Sequence, residues 1–112
     1  MPSSGAFSRR AVARFLTEWL EVVERDRSHP CVVAWLLFNE SWGVPALAQC
    51  QEQRELVAGA YHLTRALDPT RPVIGNDGWE RVRSDIWEFT TTHWRRPSWS
   101  AAMAATWRIP GC

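Results

Sequence analysis

The chain has 112 residues, 46% of them hydrophobic and 22% charged, enough apolar material for the core of one small domain. Thirteen basic against twelve acidic residues leave a formal charge of +1, so no field of either sign points to nucleic acid or an anionic membrane as partner. The longest apolar run, Cys31 to Phe38, is far too short to span a bilayer, and Met1 to Gly5 lacks a charged leader followed by an apolar stretch; a soluble, cytoplasmic product is expected.

From Ser8 to Arg25 the residues Val12, Phe15, Leu16, Trp19, Val22 and Val23 recur at helical spacing, with Arg14, Glu18, Glu21 and Glu24 opposite them. That pattern predicts an amphipathic helix, stopped by Ser28-His29-Pro30 because proline lacks an amide hydrogen and disfavours helix in the residue before it. Cys31 to Phe38 then reads as a strand buried on both faces. A second helix is expected from about Gln51, with Leu56, Val57, Ala60, Tyr61, Thr64 and Leu67 on its apolar stripe, ending at Asp68-Pro69. Pro72-Val73-Ile74 opens a short strand that runs into the polar Gly75-Asn76-Asp77-Gly78-Trp79, and Asp85 to Phe89 could begin a third.

Helix, strand, helix, strand with short connections predicts parallel β/α units. Two or three strands neither close a barrel nor cover a sheet, so the units need neighbours, and open strand edges would favour aggregation or assembly. The composition breaks after Glu88: ten Arg and twelve acidic residues lie up to and including it, three Arg and no acid after it. Residues 89–112, with Trp94, Trp99 and Trp107 at no regular period, are expected to be irregular apart from a weak helical turn near Ala101 to Ala105.

Cys31, Cys50 and Cys112 share no ligand spacing and are expected to be reduced; neither a metal nor a cofactor is implied. Trp19 and Trp35 follow the helix and strand patterns and belong to the core. His29 reads as structural, His62 as surface or packing.

The chemistry lies after the first strand. In parallel β/α folds the carboxyl ends of the strands converge on the active site, and Asn39 and Glu40 stand there. A glycosidase needs a carboxyl that protonates the leaving oxygen and then takes a proton from water, an Asn can bond a sugar hydroxyl, and Trp42 can stack on a pyranose. Asn-Glu could instead start a helix, with Ser41 as its cap. Asp77 and Trp79 fit either substrate contact or ordinary turn and packing roles.

The run from Ser28-His29-Pro30 through Trp35 to Asn39-Glu40-Ser41-Trp42-Gly43 resembles the acid/base strand of glycoside hydrolase family 2, the family of β-galactosidases, β-glucuronidases and β-mannosidases. Leu67-Asp68-Pro69-Thr70-Arg71-Pro72, Asn76-Asp77-Gly78-Trp79-Glu80 and Ser84-Asp85-Ile86-Trp87 extend the resemblance over roughly residues 7 to 88. It implies part of a (β/α)8 TIM barrel, about strands 4 to 6, over residues 1–88. Glu40 would be the acid/base of a retaining β-glycosidase, and Asn39, Trp42, Asp77 and Trp79 would contact a carbohydrate. The family's nucleophile, a second Glu on the seventh strand, has no counterpart among these residues, and turnover is expected to be negligible.

The family commonly continues after Asp85-Ile86-Trp87 into His-Asp-Tyr. Permitted codons for Phe89 onward, shifted by two bases, restore that motif, so the tail is expected to be a frame-shifted continuation. Other readings are a truncated gene, a barrel glycosidase of cellulase or mannanase type, a non-catalytic remnant or interaction module that retains sugar contacts, or a pseudogene product.

Overall fold

The computed structural model describes residues 7–87 and the backbone of 106–108. Helix α1 spans Arg9–Asp26, strand β1 Val32–Asn39, helix α2 Gln51–Leu67, strand β2 Val73–Asp77 and strand β3 Thr106–Arg108. The first four elements agree with the periodicities. Ser8 starts α1 as its N-cap, its side chain accepting the Ala11 amide at 3.1 Å. Trp19 and Val23 on the predicted stripe are buried, and Phe15, Leu16 and Val22 pack beside them.

Strands β1 and β2 are parallel, with Trp35 opposite Val73, Leu36 opposite Ile74, Phe38 opposite Asn76 and Asn39 opposite Asp77. Helix α2 makes the crossover, burying Val57, Ala60 and Thr64. The helices are joined by Trp19, whose indole N–H donates to Thr64 Oγ1 at 2.8 Å, while that hydroxyl donates to the Ala60 carbonyl at 2.7 Å. From Val32 to Phe38 every residue of β1 is buried except Val33, 48% exposed, close to the expectation of a two-sided burial. Val44 and Leu47 of the 40–50 loop also enter the core.

Three expectations are corrected. The tail is not wholly irregular: β3 pairs antiparallel with the amino half of β1, with Val32 opposite Arg108 and Trp35 opposite Thr106. A strand edge presents N–H and C=O groups that any extended segment can satisfy, whatever its side-chain period. The expected turn at Ala101 to Ala105 lies outside the described residues. No third parallel strand begins at Asp85 within the described residues; Ser84 instead bridges Ile74 antiparallel, and the Asp85 amide donates to the Val73 carbonyl at 2.8 Å. The Asp85 carboxylate accepts the Val73 amide at 2.8 Å, taking the place of a neighbouring strand. Finally, Cys31 is disulfide-bonded, whereas Cys50 is free; sequence spacing carries no information on which thiols meet in space.

Gly75 is required by the fold-back after β2. A Cβ there would lie 2.0 Å from the Arg83 carbonyl oxygen, so any side chain would push the returning segment off the strand.

At the amino end of the strands, buried Asp68 accepts from Trp35 Nε1 at 2.9 Å, Thr70 N at 3.0 Å and Arg71 Nη1 at 2.6 Å. Arg71 also donates to the carbonyls of Val32 (2.6 Å), Arg27 (2.6 Å) and His29 (2.8 Å), clamping the turn that feeds β1. Burial pushes the Asp68 carboxyl up, but the donors from Thr70, Arg71 and Trp35 outweigh it and hold it well below the usual range. A depressed carboxyl stabilises the fold fully above its unfolded pKa and loses that contribution as pH falls toward the folded value. We therefore expect stability to be flat in this contribution above the ordinary Asp value of 3.8 and to fall below it. Chemical denaturation at stepped pH tests this, since Asp68→Asn should flatten the acid limb while lowering the plateau.

Among the described residues no helix is long and apolar enough to cross a membrane.

Candidate functional site

The carboxyl ends of β1 and β2 bring together the residues singled out in the sequence. Asn39 and Asp77 are register partners on adjacent strands, and the Glu40 amide donates to the Asp77 carbonyl at 2.6 Å. Glu40 thus leaves the strand tied to its neighbour. It does not start a helix: Glu40 has φ +49° and Ser41 φ +59°, two successive side-chain-bearing residues in the left-handed region. Each such residue costs on the order of 1–3 kcal/mol unless its surroundings impose it.

Several bonds impose it here. The Ser41 amide donates to Asn76 Oδ1 at 2.9 Å, and Asn76 Nδ2 donates to Ser41 Oγ at 3.0 Å and to the Glu80 carbonyl at 2.8 Å. Ser41 Oγ in turn donates to the Glu80 carboxylate at 3.1 Å. The turn continues with Trp42 N donating to the Asn39 carbonyl and Val44 N to that of Ser41, each at 3.0 Å. Gly78 brings the second loop against the first at φ +135°, a conformation that side-chain-bearing residues rarely adopt, although a Cβ there would make only an ordinary 3.5 Å contact with the Glu40 Cα.

The side chain of Glu40 is exposed and that of Asn39 half-buried. Trp42 and Trp79 are 67% and 66% exposed, although large aromatic surfaces ordinarily seek cover. An open pocket of about 470 Å³ is lined by Glu40, Ser41, Trp42, Gly43 and Pro45. A larger recess of about 650 Å³ lies between α1 and α2, but its lining includes none of these residues and is largely apolar. Glu40 and Trp42 thus share the first pocket, while Asn39, Asp77 and Trp79 stand nearby at the ends of β1 and β2 without lining it. Among the described residues no group of three or more His, Cys, Asp or Glu could hold a metal ion.

All five predicted site residues gather at these strand ends: Asn39 and Asp77 close β1 and β2, and Glu40, Trp42 and Trp79 lie on the loops that follow. Asn76, Ser41 and Glu80 were not recognised as a unit. The available signal was an Asn directly after the apolar Val73-Ile74-Gly75 of a strand, which when buried must find partners for both ends of its amide.

The family model for glycosyl hydrolases family 2, TIM barrel domain, matches residues 6–100. A beta-galactosidase of Vibrio cholerae serotype O1 (strain ATCC 39541 / Classical Ogawa 395 / O395) is 37% identical over 62 residues, 55% of this chain. A beta-glucuronidase of Sus scrofa is 37% identical over 68 residues, 61% of this chain. The chain spans only 5% and 10% of the length of these two relatives. No solved structure matches it.

Proposed function

Because the chain belongs to glycosyl hydrolases family 2 and carries part of that family's TIM barrel domain, we propose that its two loops form the acid/base half of a retaining β-glycosidase site. Strands β1 and β2 are then the fourth and fifth of the barrel. Glu40 protonates the leaving glycosidic oxygen and later draws a proton from water. Asn39 bonds a hydroxyl of the sugar beside the scissile bond, Trp42 and Trp79 offer stacking faces, and Asp77 adds a polar contact.

The observation that carries this reading is the register: Asn39 and Asp77 end paired parallel strands, and Glu40 leaves the first of them bonded to the second. The substrate class is a β-glycoside, the type of molecule named for both relatives. A retaining mechanism needs a second carboxyl about 5 Å from the first, on the opposite side of the sugar carbon. That partner belongs to a later strand, so these 112 residues alone do not turn over substrate. Residues 89–112 are read as an out-of-frame continuation of the barrel, which the nucleotide sequence of the locus tests directly.

The chain should release no chromophore from aryl β-galactoside, β-glucuronide or β-mannoside. Joined to the rest of a family barrel it should, with Glu40→Gln lowering the rate by about 10²–10⁴-fold. Turnover by the chain alone that disappears in Glu40→Gln would overturn the inactivity, and an undiminished rate in the joined barrel would overturn the role of Glu40.

A further inference from the structure

Asn76 is 2% exposed and faces Phe38 in register, in a strand whose preceding residues are Val73, Ile74 and Gly75. An amide so placed must satisfy one acceptor and two donors inside the protein. All three bonds go to the loops flanking Glu40: Oδ1 to the Ser41 amide, Nδ2 to Ser41 Oγ and to the Glu80 carbonyl. None goes to a helix or to the strands. The orientation of the amide is set by its neighbours, because the Ser41 N–H can only donate and the Glu80 carbonyl can only accept.

The consequence reaches Glu40 through the backbone. Glu40 and Ser41 both stand at positive φ, and Asn76 grips the second of them at its amide and at its hydroxyl. Without that grip the two residues would relax toward negative φ and swing the Glu40 side chain off the end of β1. We propose that Asn76 is the positioning residue of this site, holding Glu40 in the left-handed turn from which its carboxyl faces the pocket; the catalytic meaning of that placement rests on the glycosidase reading. Ser41 and Glu80 complete the arrangement, since the Ser41 hydroxyl accepts from Asn76 while donating to the Glu80 carboxylate. Asp at position 76 would keep the size but turn an acceptor toward the Glu80 carbonyl, leaving two oxygens face to face.

The test needs no turnover. Backbone φ at Glu40 and Ser41 and amide exchange at Ser41 are measured by NMR on the 112-residue chain and on Asn76→Ala, Asn76→Asp, and Asn76→Ala combined with Ser41→Gly. Both single variants are expected to lose the positive φ at Glu40 and to speed Ser41 exchange by about tenfold or more. Adding Ser41→Gly should restore positive φ at both positions, because glycine adopts it without strain and no longer needs the grip. A residue that only filled space would not be rescued by a glycine on another loop. Retention of positive φ in Asn76→Ala overturns the proposal. So does a collapsed Asn76→Ala chain that Ser41→Gly fails to refold. If the turn behaves as expected while Glu40→Gln leaves the joined barrel fully active, the glycosidase reading fails and the positioning stands.

Discussion

Replacing Arg71 by alanine is expected to remove about 3–5 kcal/mol of stability, read from denaturant unfolding of the purified chain. Two of its bonds go to main-chain carbonyls of the turn before β1, a third to that of Val32 at the start of the strand and a fourth to Asp68. The Arg71 and Asp68 side chains are 15% and 4% exposed, so the ion pair is largely shielded from water, most of all on its carboxylate side. Truncation leaves a buried carboxylate short of its counter-charge and the carbonyl of buried Val32 short of a donor, while water can take over at the exposed Arg27 and His29. Small domains hold about 5–15 kcal/mol in total, so the variant should lie near the edge of unfolding at ambient temperature. Arg71→Lys should recover only part of the loss, because an ammonium cannot reproduce the planar fork that spans three carbonyls and a carboxylate. An unchanged denaturation midpoint for Arg71→Ala would show that the clamp is not holding the turn.

The second large effect is expected at Trp35. It is fully buried, meets Trp19 edge-on at 5.9 Å between ring centroids, and donates its indole N–H to Asp68. Trp35→Ala should cost about 3–5 kcal/mol through lost contact and an unfilled cavity. Trp35→Phe keeps an aromatic ring but removes one donor from Asp68, and should cost less. The two variants separate packing from hydrogen bonding, and equal losses would mean that the indole N–H matters more than the ring. Because Arg71 and Trp35 meet at the same carboxylate, combining Arg71→Ala with Trp35→Phe should give less than the sum of the separate effects.

Much of this was legible in the sequence. The α1 stripe and the apolar run of β1 each had a single reading by period and length, and the structure has them within a residue or two. Asn39 and Glu40 stood out through the resemblance to the family's acid/base strand, because a polar pair after an apolar strand could by itself equally start a helix. The left-handed turn at Glu40 and Ser41 was not, since neither is glycine and its support comes from Asn76, on another strand. The clamp at Arg71 was hidden for a similar reason: its acceptors are main-chain carbonyls, which leave no trace in residue identity. Asp85 misled as a strand start because it bonds β2 through its side chain as well as its backbone. Pairing of β3 with β1 is announced by no side-chain period in the sequence.

The parallel pairing also fixes an order of events during synthesis. Partners such as Trp35 and Val73 lie about 40 residues apart, with the whole of α2 between them. At about 5–20 residues per second, translation leaves the apolar segment Val32–Phe38 waiting on the order of 2–8 s before its mate exists. Closing that long loop is entropically unfavourable until α2 has formed and docked. The nascent chain therefore carries its stickiest segment unprotected during those seconds, and Glu40, made early, gains its surroundings only when the last residues of β2 emerge.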